Sequence, residues 1–181
     1  SLSINGNNHT LYLDNDTTYT TAQSIGGSDG TARAFGSNGT VSADTTLTVK
    51  NATIVNNITS GIFQMKGSNA KATAVYENVT VSNGDGIYGA QPIRNDNGKV
   101  IFRGTNTFNI LQNHNMNDIS SAGADNQGEW IQGAAYTEVE TGTTTLNQSW
   151  GNDQPFYVYY SNSGSTLQVD AGAAMVWNLN K

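Results

Sequence analysis

Fourteen carboxylates and two histidines are the side chains in this chain best suited to hold a cation or move a proton at neutral pH. A polysaccharide lyase needs carboxylates gathered around Ca²⁺ and a basic residue beside the proton next to the uronate. A hydrolase needs two carboxylates at a controlled separation. Here the acidic residues are spread singly, and Asp14, Asp16, Asp85, Asp96, Asp118 and Asp125 fall in turn-like surroundings. His9 and His114 lie over 100 residues apart, with no zinc-ligand spacing between them. Asp14-Asn15-Asp16 and Asn95-Asp96-Asn97-Gly98 carry oxygen ligands suited to Ca²⁺, but neither completes a calcium loop, and ordinary turns explain both. Cysteine is absent, which excludes a disulfide framework and thiol catalysis. These residues point to no catalytic group, no metal and no cofactor.

The aromatic residues are more informative. Of 16, eight fall in residues 130–181, including all three Trp. On the run 156–160 (FYVYY), strand alternation sends Phe156, Val158 and Tyr160 inward and leaves Tyr157 and Tyr159 outward. Outward rings with Asn, Gln and Asp nearby suit stacking on sugar rings while hydrogen-bonding their hydroxyls. Trp130, Trp150, Tyr157 and Tyr159 are therefore the candidate ligand-binding residues. The alternative is that these rings pack beneath loops or against a neighbouring module. Seven Asn-X-Ser/Thr sequons occur, among them Asn51 and Asn78, but an Asn- and Thr-rich chain generates them by chance.

The elements that must position such residues repeat along the chain. Residues 47–57 (LTVKNATIVNN), 75–83 (VYENVTVSN) and 99–108 (KVIFRGTNTF) share one pattern, in which an apolar alternation ends, Asn, Gly or Thr intervenes, and a second alternation begins. Aligned on Val49, Tyr76 and Phe102, the units lie 27 and 26 residues apart. Weaker echoes occupy residues 2–13, 136–146 and 166–177. Strand patterning at a fixed period of this size predicts stacked repeats, so the chain reads as one all-β solenoid domain over residues 1–181, of six or seven coils. Inward positions are Leu47, Val49, Ala52 and Ile54, then Ala74, Tyr76, Val79 and Val81, then Val100, Phe102, Phe108 and Ile110. Asn51 and Asn78 fall at the turns, where Asn tolerates φ > 0 and stacked amides can form a ladder. The same alignment places Lys50, Glu77 and Arg103 at one outward position, a modest surface ladder. Residues 14–44 leave open whether the first 45-residue gap, Ile4 to Val49, is one coil or two. Val139 follows Phe102 by 37 residues, and the excess falls in an inserted loop at about 112–128. No window shows a helical period with caps.

Composition narrows the function. Leu, Ile, Val and Phe make up 19% of the chain, but only 12% of residues are charged and the net charge is −6, so a narrow core with many turns fits better than disorder. The eight Lys and Arg are dispersed and form no stripe for phosphates, which argues against specific nucleic-acid binding. No run of 18 apolar residues could insert into a bilayer. The chain starts at Ser1 without Met, signal peptide or wall anchor, so it reads as an excerpt of a longer protein.

The phrases SINGNNHTLYL, LTVKNATIVNN, VYENVTVSN and KVIFRGTNTF resemble the pectate-lyase-like adhesive domain of Gram-positive bacterial cell-surface proteins, over roughly residues 2–179. That resemblance implies a right-handed parallel β-helix, secretion, attachment to the cell wall through regions outside this segment, and an adhesive role without catalytic residues. Pectate lyases and polygalacturonases share the fold, but the Asn-Thr-Asp and Gly-His-Gly signatures of polygalacturonases are missing here. The sequence thus predicts a non-catalytic domain whose partner is a polysaccharide or glycoprotein, or another copy of itself in homotypic association or as a structural stalk. A polysaccharide lyase or hydrolase is the weaker rival.

Overall fold

A computed structural model describes residues 1–13, 33–56, 61–67, 71–83, 93–112, 131–150, 159–160 and 164–180. Fourteen strands and no helix occupy these residues, and every assigned strand pair is parallel. Two sheets form. The larger holds β1 (Leu2–Leu13), β3 (Thr45–Asn56), β5 (Ala72–Asn83), β7 (Lys99–Arg103), β8 (Thr105–Gln112), β10 (Tyr136–Val139), β11 (Thr143–Trp150), β13 (Thr166–Val169) and β14 (Ala174–Asn180). The smaller runs β12 (Tyr159–Tyr160), β9 (Ile131–Gln132), β6 (Ile93–Asp96), β4 (Gly61–Gly67) and β2 (Arg33–Val41). The chain passes through the large sheet and then the small one again and again, so the all-β, parallel arrangement is compatible with a β-solenoid.

The register resolves what residues 14–44 left open. Ile4 pairs directly with Val49, and Leu11 with Ile54, so the 45-residue gap is a single coil. Val49 pairs with Tyr76 and Tyr76 with Phe102, which is the alignment read from the repeats. Phe102 in turn pairs with Val139, so the extra residues are accommodated without a slip of register. A one-residue slip would have turned every inward side chain outward.

In each coil the large sheet bends once. β1, β3 and β5 run through the bend as continuous strands, whereas later coils divide there into β7 and β8, β10 and β11, β13 and β14. The residue at the bend is left-handed in every coil from the second to the last: Asn51 (φ 50°), Asn78 (φ 54°), Gly104 (φ 66°), Gly142 (φ 72°) and Gly172 (φ 81°). Asn and Gly are the residues that adopt this conformation at least cost. At Gly104 a Cβ would come within 2.2 Å of Asn78 Oδ1, so close coil contact adds a second reason for glycine.

Inward residues form one core along the stack. All twelve inward positions read from the three main repeats are buried, and Phe63 and Ile62 join them from the small sheet. Five rings meet at its centre: Phe35 with Phe63, Phe63 with Tyr76, Tyr76 with Phe102 and Phe108, and Phe102 with Phe108, at centroid separations of 5.0–6.2 Å. Tilted and edge-on pairs of this kind add to the burial term and tie both sheets together. Buried polar groups are few. Asn106 is one, and its side chain accepts from Val79 N, donates to Arg103 O and donates to Thr144 Oγ1.

Candidate functional site

The strand pairing sets Trp150 and Tyr159 beside the same passage between the two sheets, along one edge of the stack. Gln112, the last described residue before 113–130, pairs with Trp150, the last before 151–158. Ile131, the first residue after the earlier segment, pairs with Tyr159, the first after the later one. The two segments therefore leave from, and return to, neighbouring positions in consecutive coils. Trp150 ends β11 in the large sheet and Tyr159 begins β12 in the small sheet, so they flank the passage between the two. Trp130 and Tyr157 lie outside the described residues, although Trp130 directly precedes Ile131 in the chain. The segments 14–32, 57–60 and 84–92 make the same passage, from β1 to β2, β3 to β4 and β5 to β6. The four connections of eight or more residues, 14–32, 84–92, 113–130 and 151–158, thus all run from a strand of the large sheet to a strand of the small one.

No family model, curated protein or solved structure matches the chain. What the protein can bind is therefore argued from its own surface.

Beside that edge, the outward face of the second half of the large sheet carries two polar columns. Thr10, Thr53, Thr80, Thr107 and Thr145 are successive register partners over five coils. Two residues along each strand, Asn109 Nδ2 donates to Ser82 Oγ at 3.0 Å, Asn147 Nδ2 to Asn109 Oδ1 at 2.8 Å, and Asn178 Nδ2 to Asn147 Oδ1 at 2.8 Å. Reading the turns alone missed this ladder. Its signal is the residue after an inward apolar one: Val81-Ser82, Phe108-Asn109, Leu146-Asn147 and Trp177-Asn178.

The ladder expected at the bends is present too. Asn51 Nδ2 lies 3.5 Å from Asn5 Oδ1, and Asn78 Nδ2 donates to Asn51 Oδ1 at 3.4 Å. Asn78 Oδ1 then accepts from Thr105 N at 3.0 Å, and Gly104 N donates to Thr141 Oγ1 at 3.0 Å. Lys50, Glu77 and Arg103 do stand in one column. Arg103, however, turns to the following coil and holds Glu140 in a two-point pair, Nε–Oε2 2.5 Å and Nη2–Oε1 3.1 Å. Its hydrogen bond to Glu140 raises the guanidinium above its already high ordinary value, against a smaller opposing effect of burial. Gln168 Nε2 bridges Glu138 Oε1 and Asp170 Oδ1 at 3.2 and 2.6 Å. Stacking thus gathers Glu138, Glu140 and Asp170, which the sequence spaces apart, and each has a partner. Among the described residues no three His, Cys, Asp or Glu form a metal-holding group.

Proposed function

We propose that this chain is a non-catalytic cell-surface adhesion domain that binds glycans or other host or matrix polymers along one edge of a right-handed parallel β-helix. The observation that carries this reading is that the connections 14–32, 84–92, 113–130 and 151–158 all run from the large sheet to the small one, with Trp150 paired to Gln112 and Tyr159 to Ile131 at the ends of the last two. In repeat folds, insertions gather on one face, and that face is commonly the binding face. The Thr column and the Ser82–Asn178 ladder beside it offer hydroxyls and amides at the strand spacing of about 4.8 Å, a regular array along which an extended polysaccharide can lie. Trp130, Trp150, Tyr157 and Tyr159 supply the rings that stack on sugars. Right-handedness follows from the strong preference of parallel crossover connections for that hand. Engagement of Glu138, Glu140 and Asp170 with Gln168 and Arg103 supports a domain without acid–base chemistry. The resemblance to pectate-lyase-like adhesive domains adds secretion and wall attachment through other regions of a longer protein.

The test replaces Tyr157 and Tyr159 together by Ser, confirms the fold by far-UV circular dichroism, and measures capture on immobilised polysaccharides and glycoproteins. Binding that falls tenfold or more supports the edge as the site. Undiminished binding by the folded variant moves the site elsewhere. Ultraviolet absorbance of unsaturated products and reducing-sugar release on pectin must both stay at background.

A further inference from the structure

The bend divides the large sheet into a charged half and an uncharged one. The charged residues in its strands are Lys50, Glu77, Lys99, Arg103 and Glu138, and all five lie before the bend. Beyond it, residues 52–56, 79–83, 105–112, 143–150 and 174–180 hold no Asp, Glu, Lys or Arg. Outward on this second half stand the column Thr10, Thr53, Thr80, Thr107 and Thr145 and, beside it, the ladder from Ser82 to Asn178. Among the described residues the five Thr hydroxyls hold no hydrogen bond, so each can still donate and accept. An amide has two N–H groups and two acceptor positions. The ladder uses one of each at Asn109 and at Asn147, which leaves the others for a ligand.

We propose that this face takes a neutral, extended polysaccharide with a β-1,4-linked backbone, laid along the stack with one sugar to each coil. The assignment rests on the adhesive reading above and narrows its ligand. Three observations select this occupant. Along a strand the uncharged face is only two or three outward residues wide, whereas the Thr hydroxyl recurs in five consecutive coils. A long polymer therefore finds a long row of partners only by running with the stack. The step between partners is the second. An extended β-1,4-linked chain advances about 5 Å per sugar, close to the spacing of about 4.8 Å between strands, so sugars and coils stay in step along the column. Each sugar then turns a hydroxyl to its own coil, which a chain wound into a helix by α linkages does not do. Charge is the third. A uronate chain would bring a carboxylate with every sugar to strands that offer no cation, on a domain of net charge −6.

Capture on cellulose, xylan and mannan at neutral pH, with polygalacturonate and amylose alongside, tests the proposal. At least one of the three neutral β-1,4-linked polymers is expected to hold the domain, and the other two polymers are not. Oligosaccharides of the captured backbone then compete for the domain. Their potency is expected to rise with each added sugar and to level off at about five, the length of the Thr column. Replacing Thr80 and Thr107 together by Val keeps the side-chain shape and the β-branching and removes only two hydroxyls. Affinity is expected to fall about tenfold or more, from the loss of two hydrogen bonds. The length series uses the unaltered chain, so it stands even if the variant misfolds. Capture by polygalacturonate or amylose alone overturns the assignment and leaves the adhesive reading in place. So does competition that ignores chain length, or undiminished capture of the folded Thr80→Val, Thr107→Val variant. No capture on any of the five polymers also overturns it, and the adhesive reading falls with it only if immobilised glycoproteins fail to hold the domain as well.

Discussion

Asn78 donates its side-chain amide to Asn51 at 3.4 Å although 27 residues separate them, and both adopt the left-handed conformation at the bend of the large sheet. The contact is side chain to side chain on an exposed bend, with the backbone of the next coil added through Thr105 N. Replacing Asn78 removes two hydrogen bonds, and a new side chain must also tolerate φ > 0. Asn78→Ala is expected to lose about 2 kcal/mol, roughly half from the hydrogen bonds and half from the backbone. Asn78→Gly keeps the backbone and should lose only about 1 kcal/mol. Urea midpoints of the two variants at unchanged m-value separate the contributions.

Gly104→Ala should be more damaging than its exposure suggests. The added methyl collides with Asn78 Oδ1 at 2.2 Å and sits at φ 66°. A loss of about 2 kcal/mol or more in denaturant unfolding is expected. A neutral result would mean that the two coils do not approach this closely.

Tyr76 is fully buried against three phenylalanines, Phe63, Phe102 and Phe108, and its hydroxyl finds no hydrogen-bond partner among the described residues. Tyr76→Phe removes a desolvated donor and is expected to be neutral or to stabilise by about 1 kcal/mol.

Burial also holds the Tyr76 phenol well above its ordinary pKa of 10.0. The unfolded chain releases this proton near pH 10 and the folded chain does not. The stability tied to this group is therefore full below about pH 10 and is lost as pH rises from there toward the folded value. Stability measured between pH 9 and 11 should fall more steeply for the wild type than for Tyr76→Phe. Parallel pH profiles would contradict the burial of the hydroxyl.

The Arg103–Glu140 pair is partly exposed, at 43% and 28% of the two side chains. Charge screening keeps such pairs weak, so Glu140→Gln should cost less than about 1 kcal/mol, and high salt should shrink the difference further. A larger, salt-independent loss would show that the pair is structural.

The net charge of −6 falls toward zero as carboxylates protonate in mild acid. Repulsion between copies and toward anionic polymers weakens with it. Association and capture should both increase between pH 7 and pH 4.5, and equal values at the two pH values would remove this effect.

The coil register was legible in the sequence because one face of each strand is buried, which makes the period of two and the Asn bends unambiguous. Val49, Tyr76 and Phe102 stack as read. The first coil was not legible, because Ile4 and Val49 are partners across a segment whose Ser, Thr and Gly carry no alternation. The partner of Arg103 was missed for a different reason. Its column has a carboxylate on each side, Glu77 in the preceding coil and Glu140 in the following one, one residue on from the Phe102–Val139 pair, and the 37-residue spacing kept Glu140 out of the aligned repeats. Of the candidate site, only the strand positions of Trp150, paired with Gln112, and of Tyr159, paired with Ile131, are described. Trp130 and Tyr157 lie outside the described residues, so alternation there stands on sequence alone. The Asn109–Asn147 ladder was hidden because outward positions obey no hydrophobic pattern, only the chemistry of their neighbours one coil away.

The parallel order places β1 at one end of the stack and β14 at the other, with the hydrogen bonds between coils directed along the line that joins them. Tension applied across the two ends therefore pulls on those bonds one rung at a time and does not shear a whole sheet at once. Each released coil adds its own length of chain, roughly 90 Å for the 27 residues from Asn51 to Asn78. Under flow, a tethered molecule built this way lengthens in steps and spreads a sudden load over time, while the coils still stacked keep their lateral surface intact.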